Sequence, residues 1–122
     1  MKILIVEDEK VMLDSLAEKF TKEGFETIKA VDGEEGLKKA LEFHPDLILL
    51  DIMMPKMDGL TMLKKIREDS WGENVKVVIL TNAEDNKRIA EGVEYGLTDK
   101  FSYLIKTDNT LDSIVEEVKK IL

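Results

Sequence analysis

The chain has 122 residues, 43% hydrophobic and 36% charged, a balance that fits one globular domain spanning 1–122 and leaves no material for two. A formal net charge of -8 argues against nucleic acid as a direct partner, because a phosphate backbone needs clustered cations. No apolar run approaches the roughly 20 residues of a bilayer span, and the absence of cysteine excludes a disulfide framework and a thiolate metal site.

In chain order, Met1, Lys2 and Ile3 lead straight into an apolar run over residues 3–6, leaving no room for a signal peptide, so the cytoplasm is the expected compartment. That run ends on Glu7 and Asp8, and Asp8 is a candidate N-cap for the helix that follows. Leu13, Leu16, Ala17 and Phe20 recur at helical spacing, and Gly24 supplies the left-handed residue that stops the helix. A second strand is expected over 26–31 and a second helix on Leu37, Ala40 and Leu41, closed by His44 and Pro45. The run 47–50 is wholly apolar and ends on Asp51; Leu60, Leu63 and Ile66 then mark a third helix. A fourth strand over 75–80 ends on Thr81, and Ile89, Ala90 and Val93 mark a fourth helix with Gly96 behind it. The last strand, 101–105, ends on Lys106, and Leu111, Ile114, Val115 and Val118 give the final helix.

Apolar strands separated by amphipathic helices imply an α/β fold: a parallel five-stranded sheet with helices on both faces. Right-handed crossovers favour the doubly wound order 2-1-3-4-5, whose ligand crevice lies at the carboxyl ends of strands 1 and 3. Glu7, Asp8 and Asp51 fall at those ends. Two carboxylates ~4 Å apart repel by roughly 4 kcal/mol at an effective dielectric of about 20, so such a cluster calls for a cation. A flavin or dinucleotide site would need backbone N–H groups of a small-residue turn, whereas Glu7-Asp8-Glu9 repels phosphate. Mg²⁺ fits, because it takes one or two carboxylates and completes its shell with water and phosphate oxygens. Thr81 and Lys106 add a hydroxyl and an ammonium. With Asp51 as oxygen nucleophile and Lys106 as fixed positive charge, the set suits phosphoryl transfer through an aspartyl phosphate.

These stretches, Ile5-Val6-Glu7-Asp8-Glu9, then Asp51 through Met53-Met54-Pro55-Lys56-Met57-Asp58-Gly59-Leu60, then Thr81 and Tyr103-Leu104-Ile105-Lys106, resemble the receiver domains of two-component response regulators, a CheY-like family with a flavodoxin-like (βα)5 fold. The resemblance runs along essentially the whole chain. It implies that Asp51 accepts phosphate from a sensor histidine kinase or phosphotransfer protein. It also implies that Glu7, Asp8, Asp51 and the backbone carbonyl of Met53 hold Mg²⁺, that Lys106 binds the phosphoryl group, and that Thr81 and Tyr103 form the switch. The output face would comprise the fourth helix, the fifth strand and the last helix, engaging a protein effector from a monomer or a phosphorylation-dependent dimer. Such a domain assists its own phosphorylation and dephosphorylation and is not an enzyme turning over an external substrate.

Two other classes compete. A small aspartyl-nucleophile phosphohydrolase would carry a second Asp two residues after the nucleophile, where this chain has Met53. A phosphorylation-independent interaction module of the same fold would tolerate loss of Asp51. The chain departs from the family where relatives place proline, joined by a cis bond, after the lysine: here Thr107 follows Lys106. A cis bond before a non-proline residue costs ~2.5 to 4 kcal/mol, so a trans bond and an altered loop after the fifth strand are expected. Val11, off the inward stripe of the first helix and close to the acids, is a candidate docking point for the phosphodonor together with Met12. His44 reads as a surface residue, and Trp71 as packing over the third helix.

Overall fold

The computed structural model describes residues 1–52, 54–82, 102–106 and 109–122. Strands β1 (Lys2–Val6), β2 (Glu26–Ala30), β3 (Leu47–Asp51), β4 (Lys76–Thr81) and β5 (Ser102–Ile105) form one parallel sheet in the order β2-β1-β3-β4-β5, the doubly wound flavodoxin-like arrangement. Four helices accompany it among the described residues: α1 (Lys10–Lys22), α2 (Gly33–Phe43), α3 (Gly59–Glu68) and α4 (Leu111–Ile121). The helix expected around Ile89, Ala90 and Val93, with Gly96 and Phe101, lies outside the described residues, as do Met53 and the Lys106–Thr107 peptide.

Side chains alternate across each strand and so feed two cores. Leu4 and Val6 of β1 and Ile48 and Leu50 of β3 join Ala40, Met62, Leu63 and Ile66 beneath α2 and α3. Ile3, Ile5, Leu47 and Leu49 face the other way, onto Leu13, Leu16 and Phe20 of α1 and Ile114, Val115 and Val118 of α4. This is why the central runs are apolar at every position: β3 is buried from end to end. The edge strands β2 and β5 are only partly buried.

The first two helices stop where the sequence supplies left-handed residues. Gly24 follows α1 at φ 94°, and His44 closes α2 at φ 46°. Two local expectations need correcting. Leu41 is 38% exposed and lies outside the core, because α2 buries its small residues Gly33, Gly36 and Ala40 instead. A Cβ on Gly36 would sit 2.9 Å from both the Met62 sulfur and Val6 side-chain carbons, so the helix approaches too closely for a bulky stripe. The N-cap of α1 is Glu9, in extended conformation and without a side-chain cap bond, and not Asp8, whose carboxylate is turned to the acid cluster.

Strand register sets the site. Val6 pairs with Leu50, so the residues that follow them, Glu7 and Asp51, emerge side by side. Asp51 pairs with Leu80, and Thr81 with Ile105, which brings Thr81 and Lys106 to the same carboxyl edge. No helix among the described residues is long and apolar enough to cross a membrane.

Candidate functional site

Each acid arrives on a rigid carrier. Glu7 continues β1, its N–H donating to the Ala30 carbonyl at 3.0 Å, and is 1% exposed. Asp51 is the last residue of β3 and 6% exposed. Its backbone is pinned from the far side by α3: Gly59 donates its N–H to the Ile52 carbonyl at 2.8 Å, and a Cβ at Gly59 would lie 2.2 Å from the Asp51 carbonyl oxygen. Asp58 caps α3 by accepting from the Thr61 N–H at 2.8 Å. Asp8 is exposed at the mouth, and Glu7, Asp8 and Asp51 each offer an oxygen within 4.8 Å of the others.

Lys106 reaches this cluster despite the threonine that follows it. Its Nζ donates to Glu7 Oε2 at 3.0 Å and to Asp51 Oδ2 at 3.2 Å. Burial pulls the Lys106 ammonium down, but the Asp51 charge and the Glu7 bond outweigh that and hold it above its ordinary value. Three carboxylates thus face one ammonium, and an excess of negative charge remains. Glu7 records the excess: burial, then the Asp51 charge, raise it from 4.5 to about 7, although the bond to Lys106 and the Glu9 N–H oppose the shift. An all-oxygen donor set, negative in sum and open on the Asp8 side, fits a hard divalent cation such as Mg²⁺ better than a soft metal.

Of the other residues singled out, Thr81 is fully buried and donates its hydroxyl to the Asn82 carbonyl at 3.0 Å. Tyr103, on the edge strand β5, is 51% exposed. Val11 stands 74% exposed on α1. Trp71 packs against the α2 and α3 core and stacks on His44, with ring centroids 4.5 Å apart, at the opposite pole of the sheet. Met53, expected to present a carbonyl, lies outside the described residues. Sequence reasoning missed that Lys106 bonds Glu7 as well as Asp51, since nothing local links positions 99 residues apart. It also passed over Asp32 and Lys56, which form a 3.7 Å ion pair behind the site.

Comparison with known proteins agrees with this geometry. The response regulator receiver domain family matches residues 3–118. Response regulator ArlR of Staphylococcus aureus is 33% identical over 121 residues, covering 99% of this chain and 52% of ArlR, so the chain spans about half the length of the curated relatives it matches. Among solved structures, chemotaxis protein CheY4 of Vibrio cholerae superposes with a TM-score of 0.87 at 26% identity, covering 99% of this chain and 98% of that one. Response regulator protein TrrA of Thermotoga maritima, determined in complex with Mg²⁺-BeF, superposes with a TM-score of 0.81 at 33% identity, covering 99% and 98%.

The Glu7 shift predicts a pH dependence of folding without divalent cations. Between 4.5 and about 7 the folded chain holds a proton that the unfolded chain has lost, so stability falls as pH rises through this window. The full loss is on the order of 3 kcal/mol for such a shift. Urea unfolding in chelator at a series of pH values should show the decline, and Glu7→Gln should flatten it. A Glu7→Gln protein with the wild-type slope would contradict the assignment.

Proposed function

The chain belongs to the response regulator receiver family, and from that premise we propose that it serves two-component signalling by accepting a phosphoryl group on Asp51. The observation that carries this is the meeting of the Glu7, Asp8 and Asp51 carboxylates at one sheet edge, with the Lys106 ammonium bonded to Glu7 and Asp51. Glu7, Asp8 and Asp51 would hold Mg²⁺, with the Met53 carbonyl as the further ligand that the family resemblance supplies. When bound, the ion neutralises phosphoryl oxygens and orients them toward the carboxylate.

An Asp51 carboxylate oxygen attacks the phosphorus of a donor phosphohistidine. The new O–P bond forms as the P–N bond breaks; the imidazole leaves with the electron pair and takes a proton from solvent. Lys106 is the charge available to the transferred group, moving from its shared position between Glu7 and Asp51 to a phosphoryl oxygen. The buried position of Asp51 limits water at the acyl phosphate. The product is a modified receiver, and the domain signals without turning over an external substrate.

Thr81 and Tyr103 translate that change. The Thr81 hydroxyl, satisfied by Asn82, gains a stronger acceptor in a phosphoryl oxygen, and its turn toward Asp51 is the change that half-exposed Tyr103 on β5 relays. Reversing a 1:99 equilibrium this way requires about 5.5 kcal/mol of preference. Charge-assisted bonds at roughly 1.5 to 3 kcal/mol each are of the right size. The readout surface is the face that includes β5 and α4, and its reader is another protein. The receiver is a monomer or dimerises when phosphorylated. We place the exchange in the cytoplasm, in keeping with a chain free of cysteine.

Incubation with acetyl phosphate and Mg²⁺ should add the mass of one phosphoryl group to the wild type and none to Asp51→Asn. Labelling of Asp51→Asn to the same extent would overturn the reading, and an unlabelled but partner-binding wild type would favour a phosphorylation-independent module. Val11 is assigned to the phosphodonor protein, with Met12 beside it. Val11→Asp should therefore slow transfer from a kinase severalfold while leaving labelling by acetyl phosphate unchanged; equal kinase rates would remove Val11 from the docking surface.

A further inference from the structure

Asp32 is buried, 7% exposed, at the junction of β2 and α2. One of its oxygens, Oδ1, accepts from the Glu35 N–H at 2.8 Å and caps α2. Capping uses that one oxygen, and Asn or Ser would serve as well. The second oxygen and the charge have another partner: Oδ2 lies 3.7 Å from the Lys56 ammonium, across the gap to the segment between β3 and α3.

Lys56 is itself an anomaly. It stands at φ 67°, and the Met57 N–H donates to the Pro55 carbonyl at 2.7 Å. A bond from residue i+2 back to residue i around a positive-φ centre is the rare, strained form of the γ-turn. Lysine has no intrinsic preference for it, so surrounding contacts must hold it there. One is the ion pair to Asp32. The other is the backbone of α2: a Cβ on Gly33 would lie 2.1 Å from the Met57 carbonyl oxygen, so the first turn of α2 lies directly against the strained turn. The turn stands between Asp51 and the Asp58 cap of α3, and Gly59, next in the chain, donates its N–H to the Ile52 carbonyl.

We propose that Asp32 and Lys56 are positioning residues for the acid site: their pair locks the Pro55–Met57 turn against α2 and so steadies the start of α3, whose Gly59 bonds the Ile52 carbonyl beside Asp51, in the place that a divalent cation needs. This rests on the metal-assisted reading of Asp51 given above. A mostly exposed ammonium adds little to global stability, so the effect is local and separates from folding. Asp32→Asn keeps the cap and Lys56→Met keeps the stem, while each removes the pair.

The test is a double-mutant cycle read by calorimetric Mg²⁺ titration and, in metal-free protein, by exchange of the Met57 amide. Each single variant should melt near the wild type, bind Mg²⁺ about tenfold more weakly, the low end for residues that orient metal ligands, and exchange the Met57 amide faster. The double variant should be no worse than either single one, because both remove the same interaction. Wild-type Mg²⁺ affinity in both single variants, or losses that simply add, would overturn the proposal. A wild type that binds no Mg²⁺ at all would instead overturn the function, and metal-free Met57 exchange would then decide the brace: faster and non-additive upholds it, unchanged refutes it.

Discussion

Lys106 lies between the carboxylates of Glu7 and Asp51, and the rest of the site follows from the charge it fails to cancel. A fold that pushes two acids to 1% and 6% exposure on neighbouring strands, with a third at the rim, must supply cations or protonate. One ammonium is shared between the two buried acids. Glu7 answers by holding its proton up to about 7, raised by its burial and by the Asp51 charge.

Sheet topology explains why the acids meet. The order β2-β1-β3-β4-β5 sets β1 beside β3 at the point where the chain reverses its direction of winding. With Val6 opposite Leu50, no freedom remains to separate Glu7 from Asp51. A one-residue slip would turn each β1 side chain from its own core into the other and break the packing on both faces, so hydrophobic packing and the geometry of the charged cluster are fixed by one constraint. Thr81 and Lys106 are delivered to the edge in the same way by β4 and β5. Behind them the turn at Lys56 shows the other side of this economy: strain in one connection, held by a buried aspartate on the neighbouring helix.

Much of this was legible in the amino-acid sequence because the strongest signals coincide. The strands that reach the site, β1, β3, β4 and β5, carry apolar runs, each ending abruptly on an acid, a hydroxyl or a lysine, so periodicity and chemistry mark the same positions. The inward stripes of α1 and α4 were equally plain, as Leu13, Leu16, Phe20, Ile114, Val115 and Val118 are all buried. What failed was local and steric. Leu41 counts as apolar at the right spacing, yet the packing of α2 selects Gly36 and Ala40, and a hydrophobicity pattern gives glycine no weight. Asp8 is a good cap by composition, but its carboxylate belongs to the cluster. Lys56 at positive φ and its pairing with Asp32 contradict local preference, which is why no pattern pointed to them; conflicts between local preference and native geometry concentrate near functional sites.

The central claim is that these three acids around Lys106 form one divalent-cation site whose occupancy depends on ionised Glu7. Calorimetric titration of Mg²⁺ near pH 7 in two buffers of different ionisation enthalpy tests it most directly, because binding to a partly protonated carboxylate must release that proton to the buffer. The account predicts a single site, a buffer-dependent heat that reveals proton release, and loss of that dependence in Glu7→Gln. A protein that takes up no Mg²⁺, or takes it up with the same heat in both buffers, would contradict it.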